Sequence, residues 1–246
     1  MRKKLLVGNW KMNKTIAETK SFGHASLDLL KKAEARQIDI GVTPPYLSLQ
    51  TLININPKLL VGAQNVHFKE KGAFTGEVSI PMLKEIGVNM SLVGHSERRT
   101  YYAETNESCN LKNLALLENG MTPLYCVGET LEEFEKGITK DIIKAQIEEG
   151  LKGVKNIKEV VIAYEPVWSI GTGKNASKEI AEDICGYIRT LLAKAYGQDA
   201  EEVRILYGGS VKPDNVKAYM AMPNIDGALV GGASLTVESF SELINN

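Results

Sequence analysis

A single α/β domain, a (β/α)₈ barrel over residues 1–246, is the fold this sequence predicts, and three observations predict it. Eight short apolar runs recur along the chain, most of them continuous rather than alternating, as strands covered on both faces of a parallel sheet are. Stretches with helical spacing separate them, giving units of about thirty residues. No linker, low-complexity tract or compositional break interrupts the series, and 246 residues suit one such domain. An open doubly wound sheet is the alternative, but no G-x-G-x-x-G follows the first run.

The runs are Leu5-Leu6-Val7, Ile38 to Val42, Leu59 to Ala63, Met90 to Val93, Leu124 to Val127, Val160 to Tyr164, Ile205 to Tyr207 and Ala228 to Val230. Between the first two, Phe22, Leu29 and Leu30 recur at helical spacing within Thr15 to Arg36. Leu111, Leu114 and Leu117 do so before Gly120, Ile142, Ile143 and Ile147 before Gly150, and Ile180, Ile184, Ile188 and Leu191 before Gly197. A glycine after such a stretch is a helix stop. Shorter helices are expected near Leu47, Leu83, Val216 and Leu235.

Composition excludes several function classes. The 29 basic residues balance 30 acidic ones, so bulk attraction to nucleic acid or an anionic membrane is not expected. Cys109, Cys126 and Cys185 are odd in number and show no C-x-x-C spacing, which points to reduced thiols rather than a disulfide frame or zinc site. The basic head Arg2-Lys3-Lys4 precedes an apolar run too short for a signal peptide, and no run reaches membrane-spanning length. A cytoplasmic location is the expectation.

In a barrel the chemistry gathers at the carboxyl ends of the strands. Asn9-Trp10-Lys11 follows the first run, Gln64-Asn65 the third, Gly94-His95-Ser96-Glu97 the fourth and Glu165 the sixth. Glu165, at the end of a buried strand, is placed as a base whose basicity a low dielectric raises. Behind it, Pro166 to Ala176 forms a loop with one large apolar residue, Trp168, and backbone amides at Gly171 and Gly173 able to turn toward an anion. Lys11 would stabilise charge developing on oxygen, and Asn9 could orient it. Taken alone, Lys11 reads more commonly as a solvated loop lysine, and Asn9 equally as a turn residue.

His95 precedes an expected helix start at Ser96, with Ser96 as cap and Glu97 suited to the positive helix end. That end disfavours imidazolium, so His95 is expected to stay neutral and donate a hydrogen bond. His24 and His67 read as surface residues.

Gly209-Ser210 and Gly231-Gly232 follow the last two runs, the latter leading into a short helix expected near Ser234. Barrels build phosphate sites there from backbone amides and a helix N-terminus. Gly173-Lys174 suggests a P-loop, but Asn175 stands where Ser or Thr is needed and Trp168 where the first glycine belongs. No cluster has metal-ligand spacing. The segment from Asn65 to Ser79 is long for a connection and carries Phe68 and Phe74, which suggests a partner surface.

Seven motifs together closely resemble triosephosphate isomerases: Asn9 to Asn13, Gly72 to Glu77, Gly94 to Arg99, Cys126 to Thr130, Ala163 to Gly173, Tyr207 to Val211 and Gly231 to Leu235. They run in order, nearly end to end. The resemblance implies a cofactor-independent isomerase with no metal, interconverting dihydroxyacetone phosphate and D-glyceraldehyde 3-phosphate through an enediol(ate) in glycolysis and gluconeogenesis. It implies Glu165 as base, His95 as electrophile, Lys11 as the cation oriented by Asn9, and Glu97 as a carboxylate beside Lys11. Gly171, Ser210, Gly231 and Gly232 would hold the phosphate beneath a closing lid at Pro166 to Ala176. It further implies a homodimer in which Thr75 approaches the other subunit's catalytic groups and Glu77 pairs with Arg98 across the interface.

Ser169, where alanine is commoner, and Asn175 at the lid's far hinge depart from the pattern, which bears on lid kinetics and not on the chemical groups. Another phosphate-binding barrel enzyme would share the glycine pairs without the other motifs. A non-catalytic phosphometabolite-binding protein would lack the base or the electrophile, and both are present.

Overall fold

The computed structural model describes residues 2–170 and 175–245. Eight parallel strands close into a barrel in chain order. They are β1 (Lys4–Asn9), β2 (Ile38–Thr43), β3 (Leu60–Ala63), β4 (Met90–Val93), β5 (Thr122–Val127), β6 (Val161–Tyr164), β7 (Arg204–Tyr207) and β8 (Gly227–Val230). Each falls on one of the eight predicted runs. The seam pairs β1 with β8, from Leu5 opposite Gly227 to Gly8 opposite Val230. Closure leaves no edge strand with unpaired backbone groups.

Two apolar layers explain why the runs are continuous. Alternate strand residues point inward, where Leu5, Val7, Leu92, Leu124, Cys126, Ala163, Leu206 and Leu229 fill the barrel. The residues between them, such as Leu6, Val42, Val93, Tyr125, Ile162 and Ile205, face outward against the helices. Both faces are therefore dry, and the period-2 signal of a half-exposed strand is erased. Met90 takes so much of the interior that a Cβ on Gly62 would lie 2.6 Å from its Cγ.

The surrounding helices are α1 (Ile16–Ala35), α2 (Tyr46–Ile55), α3 (Ile80–Glu85), α4 (Ser96–Tyr102), α5 (Asn106–Glu118), α6 (Leu131–Glu135), α7 (Thr139–Gly150), α8 (Lys178–Tyr196), α9 (Val216–Met220) and α10 (Val237–Asn245). Thr15 and Glu18 close a reciprocal capping box on α1, and Thr130 and Glu133 do the same on α6. None of α6 is buried, so no apolar periodicity announces it in the sequence. Gly150 is the last residue of α7 rather than a stop beyond it, because a Cβ there would run into the Tyr125 ring. The short helix expected near Ser234 begins earlier, as a 3₁₀ turn over Gly232–Ser234, and α10 follows.

The three cysteines are buried, unpaired thiols. His24 lies on the exposed side of α1, whereas His67 is half-buried and stacks on Phe68 and Phe74 at 4.6 and 4.2 Å between ring centroids. Among the described residues no helix is long and apolar enough to cross a membrane.

Candidate active site

Glu165 leaves the end of β6 on a backbone held from both sides. Its N–H donates to the Val127 carbonyl at 2.7 Å, and the Gly208 N–H donates to the Tyr164 carbonyl at 2.7 Å. The fit is close enough to require glycine on either flank. A Cβ at Gly128 would lie 1.7 Å from the Glu165 carbonyl oxygen, and one at Gly208 2.8 Å from Glu165 Cγ. The side chain, 2% exposed, receives the Ser96 N–H on Oε2 at 3.0 Å and faces His95 Nε2 through Oε1 at 3.0 Å.

Burial alone raises the Glu165 pKa, but the neighbouring imidazole and the Ser96 N–H outweigh it, and the net direction is downward. This reverses the upward shift anticipated from its dry position. His95 shows the complementary effect. Burial pulls its pKa down, and the Glu165 carboxylate more than compensates, so the net direction is up.

A geometric observation bears on the same imidazole. The Glu97 N–H donates to His95 Nδ1 at 3.2 Å, which requires a bare nitrogen there and leaves the proton on Nε2, toward Glu165. The two indications pull in opposite directions. The hydrogen bond decides the tautomer, because an N–H directed at a protonated Nδ1 would be repulsive. His95 itself caps α4, with Ser96 as the first helical residue rather than the cap expected from the sequence.

Lys11 has φ of +52°, a left-handed conformation uncommon outside glycine. Three contacts maintain it. Its N–H donates to Asn9 Oδ1 at 3.0 Å, its carbonyl accepts from Gln64 Nε2 at 2.8 Å, and its ammonium pairs with Glu97 at 2.5 Å. Gln64 also donates to the Thr43 carbonyl at 2.8 Å, tying the ends of β1 and β2 together. Such local strain persists only where surroundings over-determine it, and it concentrates at functional sites.

These groups share one cavity of about 370 Å³ with Ser210, Gly231 and Gly232. Asn9, Lys11, His95 and Glu165 line it together with the glycine-rich ends of β7 and β8. A Cβ at Gly231 would approach Lys11 Cε at 3.6 Å, whereas one at Gly232 would meet open space. The 3₁₀ turn begins here, and the first N–H groups of a helical turn have no partner within it. Gly171 lies outside the described residues.

The loop after Glu165 is anchored where it is described. Ser169 N–H and Oγ both reach the Pro166 carbonyl, at 2.8 and 2.9 Å. The hydroxyl that departs from the common alanine therefore serves a local turn. Trp168 donates its indole N–H to Glu129 Oε1 at 2.8 Å and lies 4.5 Å from Phe134, centroid to centroid. On the far side the Ala176 carbonyl accepts from Tyr219 Oη, and Tyr219 stacks on Tyr207 at 4.3 Å. Asn175 is exposed.

Thr75 and Glu77 are exposed and line no part of this cavity. Arg98 turns to Glu104 of its own chain at 2.8 Å. Gln64 and Glu129 were not assigned a role from the sequence, although Gln64 stands directly after the third run and Glu129 within a quoted motif. Their contacts reach residues 53 and 39 positions away, which spacing cannot display. Among the described residues no group of three or more His, Cys, Asp or Glu is placed to hold a metal ion.

Comparison with known proteins agrees with this geometry. A sequence model of the family described as Triosephosphate isomerase matches residues 4–246. The triosephosphate isomerase of Carboxydothermus hydrogenoformans is 49% identical, covering 99% of this chain and 98% of its own. That of Caldanaerobacter subterraneus subsp. tengcongensis is 49% identical over the whole of both chains, and that of Prosthecochloris aestuarii 48% identical over 99% and 98%. With likeness spanning the full barrel and every strand end that lines the cavity, the chain belongs to the triosephosphate isomerase family.

Proposed function

We propose that this protein interconverts dihydroxyacetone phosphate and D-glyceraldehyde 3-phosphate, the step of glycolysis and gluconeogenesis that its relatives' name denotes. The observation that carries the reading is the convergence of Glu165, His95 and Lys11 on one cavity that Ser210, Gly231 and Gly232 also line.

A proton α to a carbonyl is weakly acidic, so its removal needs a placed base together with stabilisation of the oxyanion that develops. Glu165 takes the carbon-bound proton and returns it to the neighbouring carbon. His95, neutral with its proton on Nε2, donates to the carbonyl oxygen and moves protons between the two oxygens. Where it faces the imidazole, Glu165 draws the His95 pKa upward against burial. Once the carboxylate engages the substrate carbon, burial and the helix end favour the neutral ring. Lys11 stabilises the enediolate, with Asn9, Gln64 and Glu97 setting its position.

The phosphate is held by Ser210, the backbone amides at Gly231 and Gly232, and Gly171. Pro166 to Ala176 closes over it, excluding water and protecting the intermediate. The protein acts in the cytoplasm as a homodimer, with Thr75 approaching the catalytic groups of the second subunit and Glu77 pairing with Arg98 across the interface. Exposed apolar residues Met12, Phe74, Tyr101 and Tyr102 support that surface.

The test is steady-state isomerisation of glyceraldehyde 3-phosphate in chelator-treated buffer by the wild type and by Glu165→Gln. Rapid turnover and a loss of at least about 10²-fold in kcat are expected, the low end of a positioned base's contribution. Binding without turnover in the wild type would make this a phosphometabolite-binding protein. Equal turnover by both proteins would remove Glu165 from the mechanism.

A further inference from the structure

A second cavity, of about 520 Å³, opens between α6, α7 and α8 and shares no lining residue with the catalytic one. Its size is that of a small-ligand pocket. Phe134, Ile180 and Ile184 give it an apolar wall, and Tyr164 and Glu129 also line it. Glu129 is fully buried, and its Oε1 accepts from Trp168 Nε1 and Tyr164 Oη at 2.8 and 3.1 Å. The other oxygen, Oε2, is buried with no hydrogen-bond partner among the described residues. An acceptor left so is costly unless something supplies a donor.

Charge narrows what that donor is. Glu129, Glu179 and Asp183 line the cavity against one cation, Lys140. Lys140 is already committed to Asp183 at 2.9 Å and lies over the Tyr187 ring. Burial pushes the Glu129 carboxyl up, with Trp168, its own backbone N–H and Tyr164 pulling it back. A cation brought against Oε2 would hold the group ionised.

We propose that this cavity is a ligand site for a small aromatic monocation, an amidinium or a benzylic ammonium, whose charged end meets Glu129 and whose ring lies among Phe134, Ile180 and Ile184. Apolar walls with one oriented carboxylate match that chemistry in shape and sign. Because Oε1 remains with Trp168, an occupant strengthens the anchor of the loop that follows Glu165. This coupling rests on the reading that Pro166 to Ala176 must move for turnover. Occupancy therefore lowers kcat without competing with substrate.

Benzamidine is the probe, titrated into the full chain by calorimetry, which reads binding without reference to activity. One saturable site is expected. Glu129→Gln keeps an acceptor for Trp168 and should weaken binding by about tenfold or more, the worth of one charge-assisted hydrogen bond. Thr139→Trp, which fills the cavity from its rim, should abolish it, and circular dichroism checks that both variants are folded. Absence of saturable heat, or equal binding by all three proteins, overturns the site. Competitive inhibition against glyceraldehyde 3-phosphate overturns it as well, since the cation would then occupy the catalytic cavity. Binding that follows the variants while kcat stays constant keeps the site and overturns its link to Trp168.

Discussion

His95 Nε2 lies 3.0 Å from Glu165 Oε1, so the proposed base and electrophile hold each other. Each sets the other's titration. For Glu165, burial raises the pKa and His95 is the largest influence opposing it. A base whose pKa is depressed stays ionised at lower pH and is lost as pH falls through that depressed value. Replacing His95 with Gln removes the imidazole's pull and leaves burial in place, so the acid limb of kcat/KM should move to higher pH. A fall in kcat of about 10²-fold or more should accompany it. A pH–rate profile of His95→Gln whose acid limb stays put would show that the pair is not coupled as the geometry implies.

Gly208 carries a second prediction. A Cβ there would stand 2.8 Å from Glu165 Cγ, closer than side-chain atoms pack. Gly208→Ala must displace the carboxylate, and misplacing a reacting group by about 1 Å costs about 10²-fold in rate. The loss should fall on kcat, with KM changing little, because the phosphate groups are untouched. An unchanged kcat would mean that the loop, not the base, yields.

Gln64 is predicted to act on the reaction without touching substrate. Its amide donates to the carbonyls of both Lys11 and Thr43. Gln64→Leu leaves the Lys11 carbonyl without that donor and the Thr43 carbonyl with the Trp10 N–H alone, at a cost of about 1–3 kcal/mol in urea denaturation. The strained Lys11 loses one of its three restraints, so kcat/KM should fall by about tenfold. Gln64→Glu cannot donate and should behave like Leu. Rescue by Glu would contradict the role assigned to the amide.

Glu104 offers a test of stability against pH. It is buried, and burial raises its pKa, but Lys112 at 3.0 Å and Arg98 at 2.8 Å more than reverse that. A depressed folded-state pKa means stability that is fully present above the unfolded value, near 4.5, and lost as pH falls through the lower folded value. Glu104→Gln should cost about 3 kcal/mol at pH 7, since it leaves Lys112 buried without its countercharge. The gap between variant and wild type should shrink as pH drops below 4.5. A gap constant with pH would show that packing, not charge, holds this cluster.

The homodimer is tested at Thr75. Wild type should sediment at about twice the 27.0 kDa chain mass. Thr75→Arg should shift it toward one chain and lower kcat by about 10²-fold, because in the proposed homodimer Lys11 and His95 would lose a neighbour that positions them. A monomeric variant with full activity would separate assembly from catalysis.

The strands were legible because Leu5, Leu6 and Val7 are all buried, one layer facing inward and the next outward. The longer helices were legible because α8 buries Ile184 and Ile188 on one stripe. Elements with little or nothing to bury, such as α6, left no trace. The proposed catalytic groups stood out because each lies within four residues after an apolar run. What remained hidden depends on reach across loops: Gln64 to Lys11, Trp168 to Glu129, and the Ser96 N–H to Glu165, 69 residues away. The Ser96 contact is also a backbone group, and any residue there but proline would supply it. Likewise the direction of the Glu165 shift is set by what surrounds it, not by its place on a strand.

The pairing of β1 with β8 bears on biosynthesis. During translation β1 emerges before every other strand of the ring, and its neighbour on one side, Gly227–Val230, emerges after all of them. Until then β1 can pair only with β2, and its other edge is open to any extended segment nearby, including that of another nascent chain. The ring can close only once β8 has emerged, so until then the strands already made form an unclosed sheet.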